Sequence, residues 1–328
     1  MMKKEQSQYE VINQLRLPLI ILMTYAHSYC NIREGYNLLE CGWDSYEILK
    51  LLVSQTLVIV AVPVFFVISG YLFFANVKKL TKDIYWQKIR RRLKTLLIPY
   101  IIWNLLMTIK LKYFYFSFFW KPANLPLWFL RDLMIVTLLT PIIYIGVKKL
   151  GWWIFVFLLP LYVTGIGAIQ PEPNPYAACY FTLGAFMSIR KMDIIDTFSR
   201  YEKPSYLIFV TFGLLMILTY PTLAFPIFML CFRLVGIPMV FCLANRILAN
   251  TTQRISQTAS NSSYFIYLAH YIFFLSFIDT AFFSLFGKSI TSLCIHYLIC
   301  PLLKSAIFVA VYHFYRKTIF IGRKVSHQ

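Results

Sequence analysis

Apolar runs of about twenty residues recur along the whole chain, and each is long enough to cross a bilayer as a helix. Ten stand out, at roughly 13–32, 46–75, 95–115, 127–147, 151–168, 175–190, 204–221, 224–248, 262–286 and 289–315. They are continuous rather than alternating, which excludes a transmembrane β-barrel. Only 14% of the 328 residues are charged, too few to coat a soluble globule of this length. The expected fold is therefore all-α. It is a polytopic membrane protein of about ten transmembrane helices, a single membrane domain over 1–328 with short cytoplasmic tails at 1–12 and 316–328. The polar start, Met1 to Glu10, has no cleavable signal pattern, so the first run is read as a retained helix.

Charge placement orients this bundle. The formal net charge is +19, which on composition alone suggests nucleic acid. Most of the basic residues fall instead in alternate short loops, such as Lys78 to Lys94, Lys148 and Lys149, and Arg190 to Lys203. The intervening loops and their helix ends hold only Arg33, Lys110, Lys112, Lys121 and Lys288. That is the positive-inside pattern, with both termini in the cytoplasm. No nucleic-acid partner is expected. A bacterial cytoplasmic (inner) membrane is the expected location, and its basic inner face suits anionic lipid and an anionic donor such as acyl-CoA.

Ionisable groups inside spans cost about 2.5–3.5 kcal/mol on insertion scales, so each is a functional candidate. The first span holds Arg16 and His27. At about 100° per residue, eleven helical steps return to within roughly 20° of the starting direction. The two side chains then share one face, about 16 Å apart along the axis, with Arg16 towards the cytoplasm. An imidazole can take a proton from an alcohol and return it to a leaving thiolate. His27 can equally serve as a hydrogen-bonding group between helices, and Arg16 as a snorkelling anchor.

Elsewhere the second span ends in Val62-Pro63-Val64-Phe65-Phe66-Val67-Ile68-Ser69-Gly70-Tyr71, where Pro63 bends the helix and Ser69-Gly70 permits close helix approach. Lys88, Arg91, Arg92 and Lys94 form a basic cluster able to grip phosphates or to bind lipid. The fourth span opens on Trp128, a candidate for the interfacial aromatic belt, followed by Arg131 and Asp132, which point about 100° apart and need not pair. Arg233 lies deep in the eighth span and His270 in the ninth. His296 and His313, in the tenth, read singly as structural. No histidine–carboxylate cluster has metal-ligand spacing in the linear sequence, and no metal is expected. Cys179, Cys231, Cys242, Cys294 and Cys300 read as small core residues, while Cys30 and Cys41 flank an outer loop and are candidates to pair. The outer loop 168–176 contains three prolines and reads as a connector or as a substrate-contacting loop.

Several of these segments together resemble the acyltransferase-3 family. Arg16, ten residues, then His27 is similar to its first-helix motif. V-P-V-F-F-V-I-S-G-Y at 62–71, R-R-L-K-T-L-L-I-P-Y-I-I-W at 91–103, P-L-W-F-L-R-D-L at 126–133 and S-Y-F-I-Y-L-A-H at 263–270 resemble further blocks in the family's order. The resemblance implies a ten-helix domain, acyl-CoA (often acetyl-CoA) as donor, and sugar hydroxyls as acceptors. His27 is then the catalytic base and Arg16 its companion. The family's R-x-x-R pair falls on Arg92 and Thr95, and Thr95 carries no charge, so Arg91 with Lys94 is the substitute.

The expected function is membrane O-acyl transfer, and specifically O-acetylation of a cell-surface polysaccharide or lipid-linked sugar. The donor-binding residues would be Lys88, Arg91, Arg92 and Lys94. Ser69, Tyr71, Trp128, Arg131, Arg233 and His270 would line or support the cavity. Acetyl-CoA is a co-substrate, no tightly bound cofactor is expected, and the sequence leaves a homo-oligomer open. The alternatives are a transporter of a glycan or small solute and a structural component of a glycan-assembly complex.

Overall fold

The computed structural model describes residues 2–28, 44–112, 120–164, 173–219, 224–272 and 276–325. The proposed Cys30–Cys41 pairing and most of the loop 168–176 lie outside them. The chain is all-α, with no strand among the described residues. Its helices are α1 (Met2–Tyr25), α2 (Ser45–Phe74), α3 (Lys82–Leu111), α4 (Trp128–Leu138), α5 (Thr140–Leu150), α6 (Ile154–Thr164) and α7 (Tyr176–Ile189). They continue as α8 (Ile194–Ser199), α9 (Glu202–Leu218), α10 (Phe225–Asn250), α11 (Gln257–Ala269), α12 (Ser276–Phe286) and α13 (Ile290–Val325). Large apolar side chains point outwards along them; Ile109 and Leu218 are 73% and 77% exposed. Such surfaces suit contact with lipid tails.

Five helical runs among the described residues are long and apolar enough to cross a membrane: Ser45–Phe74, Lys82–Leu111, Thr140–Thr164, Phe225–Asn250 and Ile290–Lys317. The third is not straight. Gly151 has φ +59 and ψ −129, a conformation that only glycine adopts without strain. The chain folds back there, so that a Cβ added at Gly146 would lie 2.8 Å from Ile154 Cδ1. Between α4 and α5 the backbone stays in the helical region at Leu139 (φ −80, ψ 0), and the two helices together lie close to the fourth run read from the sequence. Pro141 cannot donate to the Thr137 carbonyl, and the Thr140 hydroxyl donates to it instead, at 2.7 Å. Thr140→Val is expected to remove that hydrogen bond from a buried carbonyl and to lower stability by about 1 kcal/mol, measurable as a reduced melting temperature in detergent.

The chain forms two compact units. One comprises Met1–Tyr9 with Val62–Ile247, the other Glu10–Ala61 with Leu248–Gln328.

In the first unit α2 and α7 touch backbone to backbone. A Cβ on Gly70 would lie 2.0 Å from the Phe181 carbonyl oxygen, and one on Gly184 1.9 Å from that of Val67. The close approach expected of Ser69-Gly70 is present, and its second half is supplied by Gly184. Behind it, Gln8 Oε1 accepts from the Tyr71 hydroxyl at 2.8 Å and from the Ile194 amide at 3.2 Å. Arg131 and Asp132, which the helical wheel leaves open to pair or not, do pair, with the guanidinium Nε 2.8 Å and Nη2 2.7 Å from Asp132 Oδ1. The arginine stem is long enough to span the angle, and two buried opposite charges cannot stay apart in an apolar surround. Asp132 Oδ2 also accepts the Asn174 amide at 3.0 Å, and Arg131 donates to the Trp120 carbonyl at 2.5 Å.

In the second unit α1 is pinned to the start of α11. Gln14 accepts the Ile255 amide at 2.7 Å and donates to the Ile255 carbonyl at 3.0 Å. Ser260 donates to the Asn13 carbonyl at 2.6 Å, and Glu10 pairs with Arg254 at 2.6 Å. The opening of α2 winds as a π-helix over Leu51–Leu57, where one residue more than usual fills each turn. That turn aims Ser54 at two neighbours, its hydroxyl lying 2.7 Å from the Tyr25 carbonyl and 2.5 Å from the Tyr297 hydroxyl.

Candidate active site

The first helix stops sooner than its apolar run. The α-helix ends at Tyr25, and the Ala26, His27 and Ser28 amides bond three residues back, at 3.1, 3.2 and 3.3 Å. Three-residue turns advance roughly 120° per step, so the single-face alignment of Arg16 with His27 is looser than a uniform α-helix gives. Arg16 is half-buried, and among the described residues no hydrogen bond or ion pair engages its guanidinium. His27 is half-buried at the end of the helix. Its ring centroid lies 5.4 Å from that of His270 and 5.4 Å from that of Tyr271.

His270 explains a second departure. The ninth run is not one helix, because α11 ends at Ala269 and α12 begins at Ser276. No proline or glycine stands at that end. Instead the His270 side chain caps the helix, with Nδ1 2.8 Å from the Tyr267 carbonyl and 3.1 Å from that of Ile266. Carbonyls only accept, so Nδ1 carries a proton, and when the ring is neutral its lone pair stands at Nε2. That atom is buried and has no partner among the described residues, and the residue is only 7% exposed. A lone pair held ready, desolvated and beside a second imidazole, is the chemical core of the site.

His270 lines a narrow cleft with Thr24, Ser28, Lys304 and Ser305. The space admits about one water-sized group. Pro301 forms part of the same wall inside α13. Lys304 holds Asp279 of α12, with Nζ 2.7 and 2.8 Å from the two carboxylate oxygens, and His296 Nε2 lies 2.7 Å from Oδ1. In the linear sequence His296 reads singly as structural, and Asp279 has no neighbour that marks it. Each of Asp279 and Lys304 stands in an apolar run, and the rule that such charges seek one another was the signal that could have joined them. Asp279, His296 and Cys300 also place donor atoms within 4.8 Å of one another, although linear spacing showed no metal-ligand cluster. The Lys304 ammonium already neutralises that carboxylate.

The other expected site residues fall in the first unit. Arg91 and Lys94 are exposed, and Arg92 is half-buried. Lys88 is half-buried with its ammonium 5.1 Å from the centroid of the Phe73 ring. Arg131 is tied into its ion pair. Arg233 stacks over the Tyr176 ring at 5.1 Å. Trp128 meets Phe129 edge-on, and Ser69 is half-buried on α2. The structure thus brings His27 and His270 together, while the basic quartet and the remaining arginines belong to the other unit.

A family model described as an acyltransferase domain matches residues 9–312. The chain belongs to the acyltransferase-3 family. The chain is also similar to the succinoglycan biosynthesis protein ExoH of Rhizobium meliloti (strain 1021), at 28% identity over 187 residues. The match covers 50% of this chain and 48% of ExoH, so the chain spans about half the length of that relative. No solved structure matches it. The chain thus combines an acyltransferase family domain with helical runs long and apolar enough to cross a membrane.

Proposed function

We propose that this acyltransferase moves an acetyl group from acetyl-CoA to a hydroxyl of a surface polysaccharide or lipid-linked sugar, in a bacterial cytoplasmic membrane. The observation that carries the reading is the imidazole pair, with His270 Nδ1 committed to backbone carbonyls and Nε2 left unpartnered beside the His27 ring. His27 takes the proton of the acceptor hydroxyl. The freed oxygen attacks the thioester carbonyl carbon, the C–O bond forms, the C–S bond breaks, and the imidazolium returns its proton to the departing thiolate. His270 packs beside the His27 ring and orients it. Arg16 would hold the donor's phosphates through charge-assisted bonds. Family membership supports acyl transfer, the named role of ExoH supports a glycan acceptor, and the basic loops support an anionic donor at the inner face.

The test is thiol release from acetyl-CoA by the purified protein in detergent, with and without candidate glycans. Release is expected to depend on acceptor. Arg16→Ala is expected to raise KM for acetyl-CoA about tenfold, the loss of one charge-assisted contact of about 1.5 kcal/mol. An absence of acceptor-dependent release across a broad glycan panel would end the proposal.

A further inference from the structure

Resting on the acyl-transfer reading, we infer that Lys304 supplies the positive charge that stabilises the oxygen of the reacting acyl carbonyl, with Asp279 and His296 as its positioning residues. A lysine and an aspartate in apolar helices are costly as stabilisers, since packed apolar side chains of similar volume usually do as well. Here the ammonium is held against both Asp279 oxygens at 2.7 and 2.8 Å, and His296 fixes that carboxylate from another side at 2.7 Å. The direction of Lys304 is therefore set by two helices, α12 and α13. It lines the cleft together with His270 and Ser305. Within that cleft His270 Nε2 and Ser305 Oγ are both buried without partners among the described residues. His270 is 7% exposed and Ser305 is 2% exposed. The ammonium and the Ser305 hydroxyl are the donors lining a space for about one water-sized group, which suits a single acyl oxygen rather than a sugar ring, and the His270 lone pair takes no part in holding that oxygen.

In the reaction the acceptor oxygen adds to the carbonyl carbon and the carbonyl π pair moves onto oxygen. Lys304 and the Ser305 hydroxyl face that negative charge. It returns to carbon as the thiolate leaves with the proton taken by the imidazole. Groups already aimed at developing charge in a dry site need no reorganisation, and removing one donor of this kind costs about 10²–10³ in kcat.

A structural role predicts something different. If Lys304 only neutralises Asp279, removing both charges together should restore function. The experiment compares Lys304→Gln with the double variant Asp279→Asn/Lys304→Gln, reading kcat and KM for acetyl-CoA by thiol release and the melting temperature in detergent. Lys304→Gln is expected to lower both kcat and melting temperature. The double variant is expected to regain most of the melting temperature, hold KM within about threefold and stay about 10²-fold down in kcat. A double variant that turns over at the wild-type rate overturns the inference and leaves acyl transfer intact, whereas wild-type protein without thiol release overturns both. Where the double variant does not fold, Ser305→Ala decides. It deletes one hydroxyl, and an unchanged kcat there, against the expected drop of about tenfold, also overturns the inference.

Discussion

His27→Ala is expected to lower the rate of thiol release from acetyl-CoA about 10³-fold while the protein still folds. General base catalysis by a positioned imidazole contributes roughly 10²–10⁴-fold, and a thousandfold loss is about 4 kcal/mol of barrier. The fold depends little on this ring, which is half-buried and meets His270 and Tyr271 only by ring contact. His270 allows a sharper version. In His270→Asn the amide N–H stands near Nδ1 and can keep the bonds to the Tyr267 and Ile266 carbonyls that end α11. Nothing replaces Nε2. The melting temperature should therefore hold, since a kept hydrogen bond is worth about 1 kcal/mol, and turnover should fall about 10²-fold or more. Because the two rings act as one unit, the double variant should be little worse than His27→Ala. Wild-type turnover in His270→Asn would show that the far nitrogen has no part in the chemistry.

Gly184→Val is expected to yield no folded protein. Any Cβ at that position meets the Val67 carbonyl oxygen at 1.9 Å and the Tyr71 amide nitrogen at 2.8 Å. Both obstacles are backbone, so no side-chain rotation relieves them. The helices α2 and α7 would have to part by more than 1 Å, and small residues are placed at such crossings because packing there is what holds membrane helices together. The loss should exceed about 4 kcal/mol, the range of severe core disruption. Gly70→Val should behave the same way, with 2.0 Å to the Phe181 carbonyl oxygen. Gly213→Ala is the milder comparison: its Cβ would come no closer than 3.1 Å to the Phe232 ring, a side chain rather than backbone. A monodisperse chromatographic peak for Gly184→Val at wild-type yield would contradict the close crossing.

The sequence made the long apolar runs and the glycine at the crossing legible, because length and residue size act locally. His27 was legible as a polar group in a costly place. The break after Ala269 was not, since it depends on a side chain turning back to cap its own helix rather than on proline or glycine. The pairing of Arg131 with Asp132 was hidden by reading directions at Cβ and ignoring the reach of the arginine stem. Asp279 and Lys304 stand 25 residues apart on different helices, and only the folded chain joins them. The turn at Gly151 was also missed, because the apolar character of the chain continues through it.

The wide winding at Leu51–Leu57 has a consequence for comparing this chain with its relatives. It amounts to a single inserted residue absorbed without a loop, and the Thr56 hydroxyl reaches five positions back to the Leu51 carbonyl at 2.9 Å to seal it. Any homologue that winds normally there should align with a one-position gap in the middle of an otherwise unbroken apolar stretch. A heptad or helical-wheel plot drawn through the stretch without restarting at Val58 would assign every later side chain to a face about a quarter-turn wrong.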